Sequence, residues 1–169
     1  MRKILFRGKT ENGIWVKGGF HKHETRQPHC CEELKPEEIK YLIIIDSLAD
    51  WNMPKNIQCV EVIPETVGMF TGLTDKSGTK IFEGDIVRYG DTIHEVVFEQ
   101  RNGTAYFGLV YSESETLPFG HYQDLRQIEV IGNIYDAPEL LKGVMKPAAK
   151  DVAQGGLMPA TENFSLQEA

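Results

Sequence analysis

The sequence predicts a mainly β protein with minor α: an SH3-like small barrel preceded by an N-terminal β-hairpin subdomain. Three observations carry this. Short apolar runs recur at strand length along the chain. Two Asn-Gly pairs, Asn12-Gly13 and Asn102-Gly103, sit between such runs, where they suit tight hairpin turns. A Glu83-Gly84-Asp85 bend stands directly before Ile86-Val87, a pattern common where small β-barrels begin, because Gly allows the sharp bend and Asp can bond nearby N–H groups.

In chain order, 2–9 reads as a strand and 15–20 as its partner across Glu11-Asn12-Gly13. Residues 21–31 are polar and irregular, which predicts a loop. Lys35-Pro36-Glu37-Glu38 predicts a short helical turn, with Pro at its first position and acids at its positive end. Tyr41–Ile45 is a continuous apolar run rich in β-branched residues, hence a buried strand. Residues 47–56 predict a loop or one helical turn, and 57–63 another strand. Val67, Met69 and Phe70 make a short run ended by Thr71-Gly72. Asp75-Lys76-Ser77-Gly78 is a turn in which the Asp side chain can bond backbone two residues on and Gly accepts positive φ. Ile81-Phe82 and 86–89 resume the strands. Residues 92–100 and 104–111 form a second hairpin, 112–120 a surface loop, and 126–135 a last strand. Asp136, with Glu139 three residues on, predicts a capped helix start before Leu140 and Leu141, and Gly143 its stop. The expected organisation is an N-terminal β subdomain over 1–63, the signature stretch and barrel with its closing helix over 64–143, and an aperiodic, mobile tail over 144–169.

At 169 residues the chain can bury one sizeable core or two small ones, and 41% apolar content excludes wholesale disorder. A net charge of −7 does not favour general nucleic-acid affinity. The charge is uneven: about +3 over residues 1–40 and about −10 over the rest. Alternation along 2–9 places Lys3, Leu5, Arg7 and Lys9 on one side, so that three cations align on a solvated face. The start, with only Ile4-Leu5-Phe6 between basic residues, lacks a secretory apolar region, and nothing reaches the length of a membrane span. Three cysteines, two of them adjacent, make no disulfide framework and read as reduced thiols in a cytoplasm.

Glu65-Thr66-Val67-Gly68, Phe70-Thr71-Gly72-Leu73, Asp75, Gly78, Ile81 and Glu83-Gly84-Asp85-Ile86-Val87 together resemble the YopX family of phage and prophage proteins. So do the closing Glu129–Tyr135 with Pro138-Glu139-Leu140-Leu141, and the opening Ile4–Lys9. The resemblance covers roughly residues 1–143 and departs at Met69 and Phe82. It implies a mostly β fold, a phage or prophage origin and a bacterial cytoplasm, and it implies no activity.

The structural signature comprises Thr71, Gly72, Asp75, Gly78, Glu83, Gly84, Asp85, Gly132 and Asn133. Glu83 and Asp85 flank one Gly and would share a face on a straight strand, as paired carboxylates do for acid–base work or a hard cation. The stronger reading ties Asp85 to a turn and leaves Glu83 solvated. His21, His23, His29, Cys30 and Cys31 are the densest metal-type set, yet their spacing is too tight for the usual zinc pattern. Cys59 reads as a buried inert thiol, and His94 and His121 as structural. Trp15, Tyr89, Tyr106, Phe107 and Tyr111 offer stacking faces or, more commonly on barrel strands, core. No nucleophile elbow or phosphate loop is present. The expectation is a non-catalytic module without metal or cofactor, binding a phage or host protein and self-associating. The alternative is nucleic-acid binding through the barrel, with Lys3, Arg7, Lys9, Arg88 and Tyr89 as binding candidates. No membrane is expected as a partner.

Overall fold

The structure is a computed structural model and describes residues 4–30, 32–46, 56–101, 103–112, 115–120 and 124–142. Its strands are β1 (Phe6–Lys9), β2 (Trp15–Glu24), β3 (Ile39–Asp46), β4 (Ile57–Glu61), β5 (Gly68–Thr74), β6 (Lys80–Phe82), β7 (Asp85–Tyr89), β8 (Thr92–Arg101), β9 (Thr104–Ser112), β10 (Glu115–Pro118) and β11 (Ile128–Asn133). They form two antiparallel sheets, ordered β4-β3-β2-β1-β5-β6 and β10-β9-β8-β7-β11. Single 3-10 turns at Pro36–Glu38, Pro64–Thr66, Leu125–Gln127 and Pro138–Leu141 are the helical content of the described residues.

The fold is mainly β, as the apolar runs predict, but the second sheet is not closed into a barrel. The reason lies in its ends. β10 pairs with β9 at one edge and β11 with β7 at the other, and neither of these two edge strands pairs with the other. The first sheet takes in the N-terminal hairpin together with β5 and β6. The β1–β2 turn is a three-residue loop, with Thr10 N–H bonded to Ile14 O at 2.9 Å and Gly13 at φ +81.

Two segments read as loops are strands. His21–Glu24 continues β2 because each residue finds a partner on β3, from His21↔Leu42 to Glu24↔Ile39. Glu115–Pro118 pairs with β9. Tyr41–Ile45 is a strand, but only Ile43 is fully buried, since this wing of the sheet has solvent against much of both faces. Cys59, read as buried, is exposed for the same reason. Lys3, Cys31, 47–55, Asn102, His121, Gly143 and the 144–169 tail, for which the sequence carries expectations, lie outside the described residues.

The core sits where the two sheets meet. Ile81 from β6 joins Val87, Val96, Leu109 and Ile128 of the second sheet in one fully buried cluster, with Leu73, Tyr89, Tyr111, Phe119 and Val130 packed around it. Each such side chain is worth about 1.5–3 kcal/mol on burial. His94 is buried beside this cluster, its ring 4.2 Å from that of Tyr111, and both ring nitrogens are engaged, with Val110 O and Thr92 Oγ1.

Gly84 is the hinge between the sheets. Its φ of +77° falls in the left-handed region, its N–H donates to Val96 O at 2.8 Å, and its carbonyl accepts from Ile134 N–H at 3.0 Å. A Cβ here would lie 3.3 Å from the Tyr135 ring. Gly84→Val is therefore expected to cost about 1–3 kcal/mol, the range for a non-Gly residue held in a sparsely populated conformation. Denaturant midpoints check this; an unchanged midpoint at unchanged slope would mean that the bend relaxes freely.

Candidate functional site

Arg7, Glu83 and Asp85, three of the residues singled out by sequence, meet at the joint between the sheets. Arg7 lies in the middle of β1 and is buried. Its Nη1 donates to Asp85 Oδ1, and its Nη2 to the Glu83 carbonyl at 3.0 Å. The guanidinium lies over Trp15 at 4.8 Å and over Phe82 at 5.1 Å, and Lys17 Nζ approaches Phe82 at 5.3 Å. Arg7 Nε is buried without a hydrogen-bond partner among the described residues. Arg7 is thus not one of three aligned cations on a solvated face. The partner that removed it from solvent, Asp85, lies 78 residues away in sequence and is carried in on the Gly84 bend.

Asp85 is 2% exposed in its side chain, and its second oxygen accepts from Phe82 N–H at 2.7 Å. Burial pushes its carboxyl above the ordinary range, against the opposing pull of Arg7 and the Phe82 amide. The Gly84 bend ends the simple alternation that would have set Glu83 beside Asp85 on one strand face. Asp85 does tie down this turn.

A second cluster surrounds Asp136. Its carboxylate accepts from Trp15 Nε1 at 2.7 Å, from Asn133 Nδ2 at 2.8 Å and from Lys9 Nζ. Asn133 Oδ1 in turn receives the N–H groups of Tyr135 and Asp136 at 3.0 and 2.9 Å. Asp136 is therefore not the helix cap. The cap position of the closing turn is Ala137, with no side-chain cap bond. The Asn133, Lys9 and Trp15 donors hold the Asp136 carboxyl down at about 2. Tyr135 hydroxyl donates to Glu65 O, and burial beside Glu83 raises it.

The third cluster is the β5–β6 turn. Asp75, buried, accepts from Ser77 N–H (2.8 Å), Ser77 Oγ (2.7 Å) and Thr79 N–H (2.9 Å) through one oxygen, and from Val130 N–H (3.1 Å) through the other. Burial alone would raise its carboxyl; the Ser77 hydroxyl and the Val130, Thr79 and Ser77 amides outweigh this and lower it. Lys76 N–H also bonds Ile128 O at 2.9 Å. Thr71 bridges to Ile81 O at 2.9 Å beside a bulge in which Gly72 takes φ +91. Gly132 stands at the bulge of β11, where a Cβ would lie 3.0 Å from Leu140 Cδ1, so that Leu140 would have to shift to admit one. Arg88 is exposed near Glu129 at 4.0 Å, and Tyr89 packs on the core.

His21 and His23 stack 6.0 Å apart, and no group of three His, Cys, Asp or Glu side chains able to hold a metal occurs among the described residues. No described helix is long and apolar enough to cross a membrane. Of the aromatics, Trp15 faces Arg7 and Tyr135, Tyr106 bonds Thr116 O at 3.2 Å, and Phe107 meets Phe98 at 5.1 Å.

Asp136 and Asp75 have folded-state pKa values below the ordinary 3.8, and so contribute stability that is present above about pH 4 and is lost as pH falls, for Asp136 towards 2. Asp85, raised, has the opposite sign: its contribution falls as pH rises through its folded value. Urea midpoints of the wild type are expected to drop between pH 4 and 2. The drop should be shallower in Asp136→Asn; an equal drop would show that Asp136 carries none of it.

The fold and these clusters define a class: a two-sheet β protein whose signature charges tie one sheet to the other. Residues 7–142 match the family described as YopX protein, a range that opens on Arg7 and closes just past the Asp136 turn. The chain belongs to this family, a phage-type one of unknown function. No curated protein matches it.

Proposed function

We propose that the protein is a non-catalytic binding module for a protein partner, acting in the cytoplasm of a bacterium that carries the phage or prophage. The observation that carries the reading is a groove of about 540 Å³ outside the joint, lined by Ile39, Tyr41, Val60 and Val62, with the tip of the β1–β2 hairpin as its other wall. A concave surface that combines apolar side chains with a few polar groups is the kind of place where ligands dock. Use of Asp75, Asp85 and Asp136 as hydrogen-bond hubs within the fold supports a structural role for them over an acid–base one.

The test is affinity capture by the full chain from the native host during prophage induction, with identification of the bound proteins. One protein should be enriched by the wild type and lost with Val60→Lys. Recovery of nuclease-sensitive material alone, with salt-sensitive oligonucleotide binding tighter than about micromolar, would replace this reading with nucleic-acid binding.

A further inference from the structure

We infer that the open edge of β4 takes up an extended, basic segment of the partner protein as an added strand, beside the groove and across from the β1–β2 turn. This rests on the protein-binding reading above and names the mode and chemistry of the contact.

The argument begins with hydrogen-bond alternation. Val62 N–H donates to Tyr41 O at 2.9 Å, so Tyr41 and Val62 form a bonded pair. In an antiparallel ladder bonded and non-bonded pairs alternate. The register Ile43↔Val60 and Ile45↔Gln58 therefore directs the N–H and C=O of Val60 and Gln58 toward β3. Those of Ile57, Cys59 and Glu61 point the other way. Ile63, next in this outward series, confirms the parity: its N–H donates to Lys9 O at 2.8 Å. Beyond that single bond β1 diverges into the Thr10–Asn12 turn, and β4 is the end strand of its sheet. Among the described residues, no strand pairs with the outward groups of Ile57 and Cys59.

The groove borders this edge, lined by Ile39, Tyr41 and Val60 to Pro64 on one side and by Thr10, Glu11 and Asn12 on the other. Residues 57–60 of this edge are Ile, Gln, Cys and Val, without the Lys or Pro that commonly protect an edge, and Ile57 is 73% exposed. Main-chain pairing along such an edge supplies affinity, and the groove and its charges supply selectivity. The charged lining residues are Glu11 and Glu61, with no Lys or Arg among the lining. Glu61 is neutralised by Lys40 at 2.9 Å. Glu11 lines the groove at the hairpin tip and is exposed. An entering strand that alternates apolar and basic side chains would match both features.

The probes are two labelled ten-residue peptides, one alternating valine with lysine and one alternating valine with glutamate, measured by fluorescence anisotropy on the full chain. The lysine peptide should bind at least about tenfold more tightly. Cys59→Pro removes an outward donor and no ladder bond to β3, so it should abolish that binding, while Cys59→Ser keeps it. Glu11→Lys should invert the preference. If Cys59→Pro loses its cooperative melt, the lysine peptide methylated on alternate backbone nitrogens, in both registers, takes its place: one register should fail to bind. Equal binding of the two peptides, or binding indifferent to Cys59→Pro and to both methylated peptides, overturns the inference. If the captured host protein still binds Cys59→Pro and Glu11→Lys, the edge is not the site but the module reading stands. If no protein is captured, that reading itself fails.

Discussion

Asp85→Ala is expected to destabilise the protein by about 3–5 kcal/mol, the cost of breaking a buried ion pair by removing one member. The substitution leaves Arg7 as a buried cation between Trp15 and Phe82, with a side chain only 9% exposed and a Nε that already lacks a partner among the described residues. It also orphans the Phe82 N–H. Arg7→Met alone should cost a similar amount, since it strands a carboxylate whose burial is already unfavourable. The double change Arg7→Met with Asp85→Leu should cost much less than the sum, because two apolar side chains can replace a buried pair with little loss. Urea midpoints at neutral pH measure all three. A loss of less than about 1 kcal/mol for Asp85→Ala would mean that water reaches Arg7 and that the joint is open.

Asp75→Ala should be the next largest effect, about 2–3 kcal/mol. One carboxylate satisfies three N–H groups and one hydroxyl, and each buried donor left without an acceptor costs about 1–3 kcal/mol. The loss is non-local, because Val130 belongs to β11 of the second sheet while Ser77 and Thr79 belong to the turn before β6. Asp75→Asn keeps one acceptor oxygen and should lose roughly half as much. The coincidence of circular dichroism and tryptophan transitions decides whether the sheets part separately. If Asp75→Ala melts as one unit with an unchanged midpoint, the turn does not clamp the sheets.

Both expectations bear on function through the same geometry. The joint holds β1 and the first sheet in place, and β1 with the β1–β2 turn sets one wall of the groove. The outer β3–β4 wing is held by the β2 ladder and by the Val62 contact on Gly8, where a Cβ would lie 2.8 Å from the Val62 side chain. Loosening the joint is therefore expected to weaken partner capture together with stability. A change at the β4 edge should weaken capture alone.

Local chemistry made much of this protein legible in sequence. Apolar runs of strand length, Gly13 in the first hairpin loop, and the Asp75–Gly78 turn depend on neighbours within a few residues, so a linear reading recovers them. The bend at Gly84 belongs to the same class, since positive φ is a property of one residue. Tertiary structure alone decided which charges meet. The pairing of Arg7 with Asp85 spans 78 residues, and Asp136 reaches Trp15 across 121. Alternation placed Arg7 on the side of Lys9 correctly but could not say that the second sheet would cover that side. Likewise Asp136 had the residue type and spacing of a helix cap, and the arrival of Lys9, Trp15 and Asn133 drew its carboxylate elsewhere. The barrel failed to close for a comparable reason: strand patterns specify which face is apolar, whereas closure depends on which edges come within hydrogen-bonding reach, and here β10 and β11 lie at opposite ends of their sheet.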